Sequence, residues 1–303
     1  MAQPDDGSPI ELIRALAIFA EPPSAEHAEV ARVLDIGDAP AGDAYAQLFA
    51  FQLYPYASVH LGPEGMMGGE AADRVAGFWR AVGHVPPSEP DHLSALLGLY
   101  ATLLAGERSV EGAQRSLVAR SRSALLHEHV TPWVFSFLDR VKALGGEFYA
   151  AWADLLSEVL WNELERAPSV EMLPLHLREA PGLPDPREHG GPAFLDGLLA
   201  PVRTGMILAR ADLARMGHAL ELGVRMGERR YVMEHLLGQE PVGTLEALAA
   251  EAEAWRERHG SREEVLGACG AFWVERARVA SVLLRELAQA GEHALGQAAE
   301  VAT

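Results

Sequence analysis

The sequence predicts an all-α protein, and three observations support that class. Apolar side chains recur at helical spacing along almost the whole chain, as at Leu93, Leu96 and Tyr100. No convincing run of alternating β-branched residues marks a strand. Prolines and glycines cluster at intervals, where they end one helix and precede the next.

In the first third of the chain, stop and start signals separate the helices. Pro22 and Pro23 end the first helix, and Ser24 is suited to cap the second. The Gly- and Pro-rich stretch 62–69 is expected to be a loop, and Gly83 is a natural left-handed stop. The helices expected in this third are 10–20, 24–34, 42–53, 70–82 and one that carries the Leu/Tyr stripe of 93–104.

Farther along, the chain is predicted to divide at a proline-rich segment. Six prolines lie between residues 168 and 192, which indicates a linker or a long irregular loop. This division gives a core of 1–167, the segment 168–192 and a C-terminal helical region of 193–303. Further helices are expected at 110–127, 132–144, 146–165, 194–217, 227–238, 242–259 and 262–290, for a total of about ten to twelve.

The composition is that of an ordinary globular protein with an acidic first third. Of 303 residues, 49% are hydrophobic and 22% are charged, and the formal net charge is -18. Residues 1–100 hold 14 acidic and 4 basic side chains. Such a region attracts cations and repels phosphate, so the sequence disfavours nucleic acid as a partner and favours a basic peptide.

Targeting and redox signals are weak. The first residues are acidic where a signal peptide needs bases, and no stretch approaches 18 uninterrupted apolar residues. We therefore expect a cytoplasmic protein without stable membrane insertion. Cys269 stands alone, which excludes an intramolecular disulfide framework, and we expect it to be a core residue.

Catalytic patterns are largely missing from the sequence. A metal-dependent helical hydrolase using His92, His127 and His129 is an alternative, but His127 and His129 lie two residues apart and not four, as a zinc-protease helix requires. No G-x-S-x-G is present, and "GPEGMMGGE" lacks the Lys-Ser/Thr of a phosphate-binding loop. We predict no catalytic residue, no metal site and no cofactor.

One segment offers a binding surface instead. The aromatics of "YAQLFAFQLYPY" exceed what a single helix stripe can bury, so some of them are expected to face a groove. Aromatic rings beside carboxylates suit a peptide that carries arginine next to apolar residues. These aromatics are Tyr45, Phe49, Phe51, Tyr54 and Tyr56.

Several motifs together resemble a known family. "Y-x-x-L-F" begins at residue 45, "EPDHL" occupies 89–93, and "LLHEHVTPWVFSFLDRV" follows at 125–141. In this order and spacing, residues 40–165 resemble the TorD/DmsD/NarJ family of redox-enzyme maturation chaperones.

The resemblance implies a fold, a partner and a site. It implies a TorD-like helical bundle with a hinge loop, here at 83–91, and an extra C-terminal helical region. Family members are not enzymes. They bind the twin-arginine signal peptide or N-terminal tail of an apo molybdopterin-dependent oxidoreductase catalytic subunit until its cofactor is inserted. The implied peptide-binding residues are Tyr45, Leu48, Phe49, Tyr54, Ser58, Trp79, Glu89, Pro90, Asp91 and His92.

In this interpretation, the carboxylates of Asp91 and Glu89 pair with the leader arginines, and the apolar part of the leader lies against the aromatics of 45–56. An interaction module of the same fold with a different client is an alternative that the residues leave open.

Overall fold

The protein is described by a computed structural model that covers residues 8–168, 172–224 and 227–301. Within these ranges the chain forms helices and connecting turns and no β-strand, so the all-α prediction is confirmed. The described residues form two compact units. The first comprises 8–59 and 67–168, and the second comprises 60–66 together with the described residues after 171.

The first unit contains the helices that come before the proline-rich segment, except that the last two residues of the helix Ala57–Leu61 belong to the second unit. A 3₁₀ turn at Ile18–Ala20 follows the helix Ser8–Ala17. A π-helical turn at Ala46–Ala50 follows the helix Gly42–Tyr45, and another at Leu125–Val130 follows the helix Gly112–Ala124. The helices are α1 (Ser8–Ala17), α2 (Ala25–Leu34), α3 (Gly42–Tyr45), α4 (Ala57–Leu61), α5 (Gly69–Ala81), α6 (Leu93–Ser109), α7 (Gly112–Ala124), α8 (Thr131–Leu144) and α9 (Gly146–Arg166).

Local sequence explains several helix ends in this unit. The Ser24 side chain and the His27 ring form a capping box at the start of α2. α5 ends at Ala81, two residues before Gly83, whose φ is 85°. Pro132 occupies the first turn of α8, where its missing N–H costs no hydrogen bond.

The core of the first unit is aromatic. The Phe49 ring lies 5.1 Å from the Tyr149 ring and 6.1 Å from the rings of Phe137 and Trp152. The Trp152 indole N–H also donates to the Leu16 carbonyl oxygen at 2.9 Å, which fixes α9 to α1. The predicted apolar stripe of α6 is buried along its whole length, and α6 packs mainly against α1 and α7.

The second unit contains the helices that follow the proline-rich segment. Within that segment the chain forms two four-residue helices, and its predicted role as a divider between domains stays a prediction. The helices are α10 (Leu175–Arg178), α11 (Pro186–His189), α12 (Gly191–Leu198), α13 (Pro201–Thr204), α14 (Arg210–Ala219), α15 (Arg229–Gln239), α16 (Pro241–Gly260), α17 (Glu263–Leu266) and α18 (Ala268–Val301).

Helices α16 and α18 pack extensively against each other in this unit. The His259 ring lies between Trp255 and Trp273, with centroid distances of 5.4 and 5.8 Å. Its Nε2 donates to the Gly205 carbonyl oxygen at 2.8 Å.

Two expected helices are broken and three short helices, α4, α10 and α11, were not expected, so the predicted count of ten to twelve is too low. The helix expected at 194–217 is interrupted at Pro201 and at Gly205, whose φ is 71° and whose missing Cβ leaves room for the Ala277 backbone. The helix expected at 262–290 is divided at Gly267, where φ is 53°. A side chain at either glycine would strain the turn.

In the part of the chain that the structure describes, no helix combines the length and the apolar character needed to cross a membrane.

Candidate functional site

The motif of residues 89–92 lies directly before α6, where it pairs with the segment 55–58. Tyr56 and His92 form an isolated antiparallel bridge. The Leu93 N–H donates to the Pro55 carbonyl oxygen at 2.8 Å, and the Ala57 N–H donates to the Asp91 carbonyl oxygen at 2.9 Å. These bonds join two segments more than thirty residues apart into one rigid corner.

Asp91 acts as a helix cap within this corner. Its side chain and backbone are only 3% exposed, and its Oδ2 accepts the Ser58 N–H at 2.9 Å. Together with the bond from Ala57, this satisfies two N–H groups at the start of α4, where a carboxylate is also favoured by the helix dipole. The Asp91 carboxylate is therefore engaged inside the protein, and the prediction that it is presented to a leader arginine does not match its burial.

His92 caps the next helix. Its Nδ1 accepts the Ser94 N–H at 3.3 Å and contacts the Ser94 hydroxyl at 2.8 Å, at the start of α6. Burial lowers the pKa of His92, and the carboxylates of Glu89, Glu21 and Asp91 oppose that shift in part. The imidazole is thus neutral near pH 7, as the acceptor role of Nδ1 requires. The S-x-x-D spacing of Ser88 and Asp91 is typical of a helix start, and His92 is the residue that caps α6.

Pro90 and Trp79 brace the loop from the other side. The Trp79 indole N–H donates to the Pro90 carbonyl oxygen at 3.1 Å. Pro90 is buried and Trp79 is half-buried. These two residues position the loop of 83–91 against α5.

The predicted aromatic surface separates into core and surface residues. Leu48 and Phe49 are buried in the π-helical turn, and Phe49 belongs to the aromatic core. Ser58 is fully buried, and its hydroxyl oxygen accepts the Gly68 N–H at 3.1 Å. Tyr45, Tyr54 and Tyr56 are half-buried and Phe51 is exposed, so these four are the predicted aromatic side chains that solvent reaches.

Near Tyr45 the structure assembles a surface that the sequence reveals only in part. We call Glu21, Tyr45, Tyr56 and Glu89 the tyrosine–glutamate surface. Burial, and then the nearby carboxylate of the exposed Glu89, raises the pKa of Tyr56. The pKa of Tyr45 is raised by burial, then by the carboxylates of Glu21 and Glu89. The charges of Glu21 and Glu89 thus both raise the pKa of the Tyr45 hydroxyl.

Glu21 is the residue that sequence reasoning missed. It is exposed and follows the 3₁₀ turn of Ile18–Ala20, directly before Pro22. The Tyr45 hydroxyl contacts the adjacent Ala20 carbonyl oxygen at 3.4 Å. Only the fold brings these two segments together, so no local motif could have identified Glu21.

The three histidines of the alternative metal site have separate roles. His92 caps α6, and the His127 Nε2 donates to the Pro168 carbonyl oxygen at 3.1 Å. His129 is buried against the Phe78 ring at 4.9 Å, and burial, then the charge of Arg74, lowers its pKa to about 4. Over the described ranges, no three His, Cys, Asp or Glu side chains form a group that could hold a metal ion.

Comparison with known proteins identifies the family of the segment that carries this corner. Residues 24–139 match the family model described as nitrate reductase delta subunit, and they include Tyr45, Tyr56 and the motif of 89–92. No curated protein matches the chain. The resemblance to redox-enzyme maturation chaperones is therefore confirmed. Over residues 24–139, the chain is therefore similar to the nitrate reductase delta subunit family, and this similarity implies a molybdoenzyme assembly chaperone.

Proposed function

We propose that the protein is a cytoplasmic chaperone that binds the leader peptide or N-terminal tail of a nitrate reductase-type catalytic subunit. It holds the apo subunit until the molybdenum cofactor is inserted. One observation carries this proposal, namely the exposed carboxylate of Glu89 beside the half-buried rings of Tyr45 and Tyr56. An acid next to solvent-accessible aromatics suits a segment that combines arginine with apolar side chains.

The predicted site residues take different parts in this proposal. Glu89 meets the basic residues of the leader, and Tyr45 and Tyr54 contact its apolar side chains. Asp91 and His92 hold the corner in shape through their two caps. The remaining predicted residues are buried or half-buried and support the surface by packing. They are Leu48, Phe49, Ser58, Trp79 and Pro90.

Charge in the first third of the chain assists the encounter. With 14 acids and 4 bases in residues 1–100, the region attracts a basic segment over distances of about 10 Å at moderate salt. An exposed carboxylate–arginine pair by itself contributes only about 0.2–1 kcal/mol. Affinity therefore depends on burial of the apolar part of the leader, and salt chiefly slows association.

The proposal is tested by co-purification with the apo catalytic subunit of a nitrate reductase-type enzyme from the same cells. We expect the full chain to retain the apo subunit and to lose it when the N-terminal segment of that subunit is deleted. Equal retention of the truncated subunit would refute leader binding. No retention of either form would point to a different client.

A matched pair of variants tests whether the acid of the motif contributes to binding of the catalytic subunit. Glu89→Gln is expected to weaken retention, because it removes the exposed acid of the motif. Glu158→Gln removes another exposed acid, on α9, and is expected to leave retention unchanged. Equal effects of the two variants would show that only net charge matters.

A further inference from the structure

We infer that the hairpin formed by the end of α6 and the first half of α7 is a docking surface for an acidic segment of a partner protein. We call residues 106–121 the arginine hairpin. Residues 112–127 hold three arginines and no aspartate or glutamate, in a chain whose formal net charge is -18. The inference goes beyond the proposed function, because the 17 residues of α6 place this hairpin about 25 Å from the motif of 89–92.

The arginine hairpin is an antiparallel helix pair with a fixed register. A Cβ at Gly106 would lie 3.8 Å from the Val118 Cγ1, so the end of α6 packs against α7 at this level. The Arg122 Nε donates to the Glu107 carboxylate at 2.9 Å, which fastens the same two helices and neutralises Glu107 within the protein. In this register Arg108, near the end of α6, lies beside the first half of α7.

Three arginines of the arginine hairpin are exposed and have no acidic partner. These are Arg108, Arg115 and Arg120, and none of them forms an ion pair with a carboxylate of the described ranges. Exposed arginines elsewhere are commonly paired, as Arg32 is with Glu29. Guanidinium groups that lack a carboxylate of their own chain are available to the carboxylates of a partner.

The exposure of α7 is an independent sign of a partner. All of residues 111–117 are exposed, and Leu117 keeps 59% of its surface in solvent. Within the described chain, the N-cap residue Glu111 makes no side-chain capping bond, and the Ser116 hydroxyl donates to the Gly112 carbonyl oxygen at 3.3 Å, a bond that competes with the helix. A short helical segment that buries so little is only marginally stable in water. A partner that covers this segment would stabilise it.

The occupant that fits is a short acidic segment and not an extended polyanion. Nucleic acid or an anionic membrane would also meet the acidic remainder of the chain, which repels phosphate. A short segment can place its carboxylates on the arginines alone, each in a bidentate pair. Arg115 and Arg120 lie about 7.5 Å apart along the axis of α7, with Leu117 between them in sequence. The segment should therefore carry an apolar side chain among its acids.

The test is a fluorescence anisotropy titration of the full chain with a labelled synthetic peptide, the acidic probe, that has glutamates on both sides of a central leucine. We expect Arg115→Gln/Arg120→Gln to weaken binding of the acidic probe about tenfold, because two charge-assisted pairs are lost. The matched control is Arg32→Gln/Arg278→Gln, which removes two exposed arginines that pair with acids of their own helices. It should change binding less than about twofold, because salt screens distant charges.

Two further measurements separate direct contact from a general effect of charge. Leu117→Ser should weaken binding of the acidic probe about threefold and leave thermal unfolding unchanged, because this side chain is 59% exposed in the free protein. Hydrogen exchange of the full chain should slow in residues 112–121 when the acidic probe is bound, and should stay the same in α9. Thermal unfolding of both double variants should match that of the wild-type chain.

Several outcomes would overturn the inference. They are a failure of the wild-type chain to bind the acidic probe, an equal loss of binding in the two double variants, and unchanged exchange in 112–121. Binding to phosphatidylglycerol vesicles or to single-stranded DNA that depends on Arg115 and Arg120 would assign the arginine hairpin to a polyanion instead. Self-association that is lost in Arg115→Gln/Arg120→Gln would assign it to a second copy of the chain.

The same variants keep this inference distinct from the proposed function. Arg115→Gln/Arg120→Gln leaves Glu89 and the tyrosine–glutamate surface intact. Retention of the apo catalytic subunit through its N-terminal segment should therefore persist in this variant. Failure of the acidic probe to bind would overturn the docking surface and leave leader binding standing.

Discussion

Two groups of charged and phenolic side chains in the first unit differ in burial and in ion pairing. Inside the unit, Glu163 accepts the Tyr100 hydroxyl at 2.7 Å and lies within 3.5 Å of Arg122. Arg166 contacts its other carboxylate oxygen at 3.0 Å. On the tyrosine–glutamate surface, by contrast, Glu21 and Glu89 form no ion pair with any described residue.

The difference separates charges that hold the fold from charges that are free to bind. Removing one member of a buried, fully paired group leaves an uncompensated charge inside the protein. Removing an exposed, unpaired carboxylate changes the stability of the free protein very little. Stability and peptide binding should therefore respond to different residues.

The largest expected effect is on stability. Glu163→Leu leaves the buried Arg122 guanidinium with Glu107 as its single carboxylate partner and deprives the Tyr100 hydroxyl of its acceptor. We expect the free energy of unfolding to fall by about 3 kcal/mol, measured by urea denaturation. Peptide binding by the folded protein should stay the same.

The matched control is the exposed pair of Lys142 and Asp154, whose atoms lie 2.6 Å apart. Lys142→Met should lower the free energy of unfolding by less than about 1 kcal/mol, because an exposed pair is well solvated. A similar loss in both variants would contradict the contrast between buried and exposed charges.

The second-largest expected effect is a loss of folding stability at acidic pH. His129 has a folded-state pKa of about 4, below the ordinary value of 6.5, so the unfolded chain binds the proton more readily. Its neutral form contributes stability above pH 6.5, and this contribution declines as the pH falls towards 4, by about 3 kcal/mol in all. The lowered pKa of His92 acts in the same direction.

Urea denaturation between pH 7 and pH 4 measures this dependence. His129→Gln should flatten the decline, whereas substitution of the exposed His293 should not. A decline that is unchanged in His129→Gln would show that other groups cause it.

The smallest effect separates Asp91 from Glu89. Asp91→Asn weakens the cap of α4 and should lower the free energy of unfolding by about 1 kcal/mol. Glu89→Gln should change stability by less than about 0.5 kcal/mol and should weaken peptide binding and its salt dependence. If Asp91→Asn weakened binding more than Glu89→Gln at unchanged stability, Asp91 would be a peptide contact and not a cap.

Local signals predicted much of the first unit. Prolines 22 and 23, the Ser24 cap and the glycine at 145 give α1, α2 and α9 nearly their predicted bounds, because each signal acts within one helical turn. Short α4 was not predicted, since its cap comes from Asp91, 33 residues away. The break at Gly205 likewise depends on the close approach of Ala277.

The candidate site was predicted in its location and only partly in its composition. The motif of 89–92 is local, so its position could be identified from sequence. Burial of Asp91 and His92 depends on pairing with 55–58, and the arrival of Glu21 depends on packing of the turn after α1. Neither contact leaves a periodic or spacing signal in the sequence.

The membership of residues 60–66 in the second unit has a consequence for synthesis of the protein. The Pro63 carbonyl oxygen accepts from the Arg203 side chain at 2.6 Å, and Gly65 lies so close to Ala200 that a side chain there would not fit. During translation, 60–66 leaves the ribosome well before these partners exist. At about 5–20 residues per second, it waits on the order of ten seconds for them. Early folding of the nascent chain must therefore keep this segment accessible until Arg203 has emerged.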